Sequence, residues 1–164
     1  MNLPTSIVLQ SNLSEQARLE LFVDQICEDY NIGNTYFGHI LLSLTEAFEN
    51  AIRHGNKNDS SKKVTISLQS TRKGLCFSVA DEGNGFDPDQ VADPTNPDTP
   101  ESFYQGRGLY TIRSISDHLR FSNRGQTVHI SFYVSSMNRE LSDMRVNLLS
   151  AYYNSKPVLS NSHQ

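Results

Sequence analysis

Glu46, Asn50 and His54 stand four residues apart within S-L-T-E-A-F-E-N-A-I-R-H-G-N, residues 43–56. Ala, Leu and Glu dominate this stretch, so its intrinsic preference is helical, and Gly55 stands where a helix tends to stop. On a helix, four-residue spacing stacks the three side chains along one face. Their chemistry is complementary. A carboxylate accepts a proton, an amide oxygen ligates a hard cation, and an imidazole donates to a phosphate or holds the chain end. A solvated helix face also carries such residues, and Glu49 with Arg53 reads as an ordinary i, i+4 pair.

Two later stretches bear on that choice. Residues 81–87 read D-E-G-N-G-F-D. Asp81 falls at the end of an expected strand, where its carboxylate can accept a hydrogen bond from an exocyclic amine such as adenine's. Gly83 and Gly85 permit positive φ and close approach of backbone to a flat ring, although the same letters also mark a tight turn. A calcium loop is disfavoured, because glycines take alternate positions where oxygen side chains are needed. Residues 106–117 read G-R-G-L-Y-T-I-R-S-I-S-D. Gly106 and Gly108 directly precede an amphipathic helix with Leu109, Ile112 and Ile115 inward. Backbone amides at a helix start, cleared by glycines, seat a phosphate, and Arg107 adds charge. The stretch is not a P-loop, since no Gly-Lys-Ser/Thr follows, and Thr111 stands where a dinucleotide-binding fingerprint has its third glycine.

The elements that must position these residues follow from periodicity. Ile40, Leu44, Ala47 and Ala51, with Leu41, Phe48 and Ile52, give the central helix a broad apolar stripe from about residue 35. Before it, residues 6–10 read as a short strand, a candidate for a sheet edge. Asn12 or Ser14 caps a helix over about 15–30. Residues 63–71 alternate apolar and polar, and 75–80 make a second strand after a turn at 72–74, so the pair forms a hairpin. A second hairpin joins 119–122 to 128–134 through Asn123-Arg124-Gly125. Helices followed by two antiparallel pairs predict an α+β sandwich, with helices layered on one face of a mixed, mainly antiparallel sheet. Residues 81–105 are mostly loop, with Pro88, Pro94, Pro97 and Pro100 among Asp, Asn and Thr. Such length reads as a lid or as disorder that a ligand orders.

Composition bounds the rest. With 164 residues and 37% hydrophobic content, the chain has material for one domain with a sizeable core. Fourteen Lys and Arg against 18 Asp and Glu leave a formal charge of −4, which gives no support to a nucleic-acid footprint. No apolar run approaches membrane-spanning length, and the first residues, M-N-L-P-T-S, lack the basic start and apolar block of a leader. A soluble, cytoplasmic protein is expected. Cys27 and Cys76 lie far apart and outside any Cys/His cluster, so buried thiols are expected rather than a zinc site or a disulfide.

Four motifs occur in order: E-x-x-x-N-A-x-x-H-G from Glu46 to Gly55, D-x-G-x-G from Asp81 to Gly85, G-x-G from Gly106 to Gly108, and G-x-T from Gly125 to Thr127. Together they resemble the Bergerat, or GHKL, ATP-binding fold of histidine kinases, gyrase, Hsp90 and mismatch-repair proteins. The short length and the H-G ending are most similar to the anti-sigma-factor serine kinases. The resemblance covers about residues 6–135. It implies a histidine-kinase-like ATP-binding domain over 1–135 with a lid at 82–105, then a C-terminal helical extension and frayed tail over 136–164. It implies ATP and Mg²⁺ as cofactors. Asn50 would ligate the metal, Asp81 would read the adenine amine, and Gly83 and Gly85 would line the ring. Gly106 and Gly108 would hold phosphates, Thr127 would join the adenine network, and Glu46 would be the general base. It further implies a serine/threonine kinase that sequesters a sigma factor and phosphorylates a serine of an antagonist protein, commonly as a homodimer. A non-catalytic ATP-binding regulatory module is the alternative. A detached histidine-kinase catalytic domain would need a preceding phosphoacceptor helix, and a gyrase-like ATPase a transducer domain. The extension carries Met137, Leu141, Met144, Leu148, Leu149 and Tyr152 at helical spacing, for packing on its own domain or on a partner.

Overall fold

The alternation that predicts the strands also decides which way the sheet faces. In a computed structural model, residues 5–87, 89 and 106–134 are described. Five strands, β1 (Ser6–Gln10), β2 (Lys63–Thr71), β3 (Gly74–Asp81), β4 (His118–Ser122) and β5 (Thr127–Phe132), form one sheet in the order β1-β2-β3-β5-β4. Each neighbouring pair runs antiparallel. Register places Leu68 beside Phe77 and Phe77 beside Ile130, with Ile66 beside Val79 and Leu75 beside Phe132. All of these are buried, so they make one continuous apolar face. Three helices cover it: α1 (Gln16–Asp29), α2 (Asn34–Asn50) and α3 (Gly106–Ile115). Leu19, Phe22, Val23 and Ile26 of α1 join Ile40, Leu44, Ala47 and Phe48 of α2 and Ile112 of α3 in a single core. Burial of each such large side chain favours folding by about 1.5–3 kcal/mol.

The other sheet face is small and polar. It carries Thr65, Ser67, Ser78, Ala80 and His129, whose ring nitrogens bond the hydroxyls of Ser78 at 2.8 Å and Ser122 at 2.7 Å. Burial first, then Arg120, lowers the His129 pKa. The α+β sandwich with helices on one face is therefore as expected, and its sheet is antiparallel throughout the described strands.

Element bounds follow the sequence closely, with instructive exceptions. β1 and β2 have the expected bounds. β3 gains Gly74 and Asp81 because its ladder to β2 runs from Thr71–Gly74 to Val64–Asp81. β5 begins at Thr127, held by pairing to Ala80. Asn12 caps the short 3₁₀ turn before α1, its Oδ1 accepting from Ser14 N at 3.0 Å. Most of the expected lid and the whole extension over 136–164 lie outside the described residues.

The end of α2 departs most from expectation. After Asn50 the helix widens into a π turn, Ala51–Gly55, with Asn56 N donating to Ala51 O at 2.7 Å and Asn58 N to Ile52 O at 2.8 Å. Lys57 (φ 57°) and Asn58 (φ 60°) then take left-handed backbone and end it. Gly55 is not a positive-φ residue, so the expected glycine stop is made two and three residues later. π turns concentrate at functional sites.

Candidate functional site

Asp81 is the residue that meets this π turn. A Cβ built on Gly55 would lie 2.2 Å from Asp81 Cγ, 2.3 Å from Oδ2 and 2.6 Å from Oδ1. The carboxylate thus rests on the bare Cα of Gly55. Gly83 N donates to Asp81 Oδ1 at 2.8 Å, leaving Oδ2 without a hydrogen-bond partner among the described residues. Burial raises the Asp81 pKa, while the Gly83 amide and then Lys62 and Lys57 lower it; burial wins. A half-buried acceptor with one open oxygen can bind a donor brought by a ligand.

The glycines of D-x-G-x-G make room for protein backbone. A Cβ on Gly83 would lie 2.1 Å from Gly55 O, and one on Gly85 (φ 76°) would lie 2.1 Å from Arg124 O. The loop is fastened from the β4–β5 turn as well. Asp81 N donates to Gln126 O at 3.0 Å, Phe86 N to Arg124 O at 2.9 Å, and Gln126 Nε2 to Gly83 O. A cavity of about 360 Å³ opens here, lined by Asn84, Gly85, Phe86, Asp87 and Arg124. Its lining does not include Glu46 or Asn50, so it marks the glycine loop and not the centre of the chemistry.

The other half of the site is built by α2 and α3. A Cβ on Gly108 would lie 2.8 Å from Glu46 Oε2, 3.0 Å from Asn50 Nδ2 and 3.4 Å from Asn50 Oδ1. The first turn of α3 therefore sits directly on the Glu46–Asn50 face, its amide-rich end toward the carboxylate. Gly106 and Gly108 lie inside that first turn rather than before it. Burial first, then Glu49, raises the Glu46 pKa, and Arg53 only partly opposes them. Glu49 is itself held by Arg53 at 3.1 Å and by Gln16 Nε2 at 3.0 Å. Arg107 is exposed on α3.

Two expected site residues stand apart. His54 falls in the π turn and is exposed, with its pKa lowered by partial burial, Lys57 and Arg53. Thr127 pairs with Ala80, so its side chain lies on the sheet face opposite Asp81, with its hydroxyl accepting from Asn123 Nδ2 at 3.2 Å. Gln126 is the residue of G-x-T whose side chain reaches the glycine loop. It went unremarked in the sequence, though strand parity with Asp81 marks it. Gly55 as the seat of Asp81 and Asn56 as a buried neighbour were also missed.

The family model described as "Histidine kinase-like ATPase domain" matches residues 9–132. The chain belongs to that family. The histidine kinase-like ATPase match spans every described element except the start of β1. Among curated proteins, "Serine-protein kinase RsbW" of Bacillus subtilis (strain 168) is 32% identical over 112 residues, covering 63% of this chain and 70% of the relative. "Anti-sigma F factor" of Bacillus thuringiensis (strain Al Hakam) is 27% identical over 142 residues, covering 84% and 94%. As a member of this ATPase family the chain takes ATP, and its open Asp81 oxygen, bare Gly108 and facing Glu46 and Asn50 fit a nucleotide lying between β3 and α3.

Proposed function

We propose that this chain is an ATP-dependent serine/threonine protein kinase acting as an anti-sigma factor or a similar regulatory switch. It transfers the γ-phosphate of ATP to a serine of an antagonist protein. The observation that supports this reading is the packing of Gly108, in the first turn of α3, onto both Glu46 and Asn50, the closeness that a phosphate seat, a cation ligand and a base would need. ATP supplies the transferable phosphoryl group, and Mg²⁺, when bound, would neutralise charge on its phosphates. Asn50 offers the amide oxygen a hard cation accepts. Mg²⁺ would arrive with the nucleotide, and Asn50 would meet it there.

Glu46 accepts the proton of the attacking serine hydroxyl. Its raised pKa makes it a better base than an ordinary glutamate, and the amide end of α3 beside it holds the phosphates. Asp81 Oδ2 takes the adenine amine, with Gly83 and Gly85 lining the ring. Thr127 supports this base site from behind, through the Asn123 bond that shapes the turn carrying Gln126. Arg107 and Gly106 complete the phosphate seat.

The partners are a sigma factor and its serine-bearing antagonist, in the cytoplasm. No helix among the described residues is long and apolar enough to cross a membrane. A homodimer suits β1, which ends the sheet and presents Val8 at 47% exposure. Glu46→Gln tests the kinase reading: ATP binding persists, and phosphate transfer to the antagonist is lost. Unchanged regulatory output from that variant would leave a non-catalytic ATP-binding module as the better account. Capture of partners with and without Mg-ATP, followed by phosphosite mapping, identifies the substrate serine.

A further inference from the structure

Asn56 has no exposed surface. A buried carboxamide is destabilising unless its donor and acceptor are used, and both are. Nδ2 donates to Lys63 O at 3.0 Å, and Oδ1 accepts from Glu82 N at 2.8 Å. Its own amide closes the π turn on Ala51 O. The β2–β3 ladder ends at the pair Val64–Asp81, so Lys63 and Glu82 are the next residues outward on each strand. There the strands do not continue their ladder. The Asn56 side chain stands between them instead, and Glu82 Oε2 accepts from Lys63 N at 2.6 Å to finish the clasp. Stopping the helix does not require this side chain, because Lys57 and Asn58 already do so.

We infer that Asn56 is the positioning residue for the base-reading carboxylate, fixing where Asp81 stands relative to the end of α2. The inference rests on the ATP-site reading above. Glu46 and Asn50 belong to α2 before the π turn, while Asp81 belongs to β3. The distance between the phosphate end and the base end is therefore set by what crosses from the turn to β3. Gly55 makes the approach possible, and Asn56 holds it, through the amide of the residue next to Asp81. Loss of the Asn56 side chain frees Asp81 and Glu82 without touching Glu46, Asn50 or Gly108. The cost falls on recognition of the base, and the seat of the triphosphate is spared.

The test compares equilibrium binding of Mg-ATP and Mg-inosine triphosphate to the full chain. Inosine carries a carbonyl oxygen where adenine carries its amine. Asn56→Ala lowers the ATP-to-inosine-triphosphate affinity ratio about tenfold, the worth of one hydrogen bond to a charged acceptor, and leaves inosine triphosphate affinity within about twofold. Equal weakening of both nucleotides, with the ratio unchanged, is what a purely structural role gives and would overturn the inference. If Asn56→Ala does not fold, Asn56→Ser carries the test with less lost volume: a fall in the ratio of severalfold supports the inference, and an unchanged ratio overturns it. Asp81→Asn is the control. If it abolishes a wild-type preference that Asn56→Ala retains, only the role of Asn56 falls. If the wild type has no preference for ATP, the base-site reading falls and the inference with it.

Discussion

Gly55→Ala places one methyl group between the π turn and Asp81. The new Cβ would lie 2.2 Å from Asp81 Cγ, where ordinary contact begins at 3.4 Å. The carboxyl must retreat by about 1 Å, since repulsion at shorter range is steep. A shift of that size removes the 2.8 Å bond from Gly83 N from good geometry and withdraws Oδ2 from the base site. Gly55 has no positive φ, so alanine adopts the same backbone without strain. In the unfolded chain the substitution gains about 0.4–1 kcal/mol of stability, which offsets part of the clash. Thermal unfolding should therefore stay near wild type. ATP affinity should fall by the worth of a hydrogen bond to a charged acceptor, about 1.5–3 kcal/mol, or roughly 10–150-fold in Kd. Titration calorimetry of the full chain with Mg-ATP, beside a thermal melt, reads both quantities. A Kd within about twofold of wild type, with the melt unchanged, would refute the placement of Asp81 on the nucleotide.

Glu46→Gln should raise the melting temperature of the nucleotide-free protein at pH 7. The raised pKa means that the fold favours protonated Glu46, so its contribution is fully present at low pH and is lost as pH rises through the folded pKa. Gln removes that loss, and its advantage should vanish below the ordinary glutamate range, which melts at pH 7 and pH 4 would reveal. Asn50→Ala should weaken Mg-ATP binding toward the level seen with ATP and a chelator, as parallel titrations with and without Mg²⁺ would measure. Phe77→Ala, at a fully buried ring packed edge-on to Phe132 at 6.3 Å, should cost about 3–5 kcal/mol in urea unfolding.

Regular alternation made β1 and β2 legible from the sequence, because burying one face of a sheet imposes period two on V-T-I-S-L and leaves little freedom. The apolar stripe of α2 was equally legible. The π turn was not, because no propensity marks it: it forms where Asp81 docks and where Lys57 and Asn58 accept left-handed backbone. The motif glycines suggest clearance for a ring, yet Gly83 and Gly85 also clear the carbonyls of Gly55 and Arg124. A glycine in a sequence reports that something comes close, and cannot say whether that is ligand or backbone. Parity separates Gln126 from Thr127 once Asp81 is known to end β3, a boundary that lay one residue beyond the expected strand.

The two halves of the site differ in how they are held. The proposed base half is fastened by hydrogen bonds from two sides: Asn56, at the end of α2, to the Glu82 amide, and the β4–β5 turn through Gln126 to Gly83 and Asp81 and Arg124 to Phe86. Each link joins a side chain or carbonyl of one element to the loop of another, so the loop enters any encounter with its geometry already set. The proposed phosphate half rests on van der Waals approach of Gly108 to Glu46 and Asn50. Neither side chain is committed there to a described hydrogen-bond partner, so both keep their donors and acceptors for a ligand. Burial beside Glu49 raises the Glu46 pKa although the amide end of α3 favours the anion, and that balance leaves a carboxylate ready to take a proton. On the proposed reading, a fixed reader of the base beside an uncommitted acid and amide would let recognition precede chemistry, which is the order a phosphoryl-transfer switch needs.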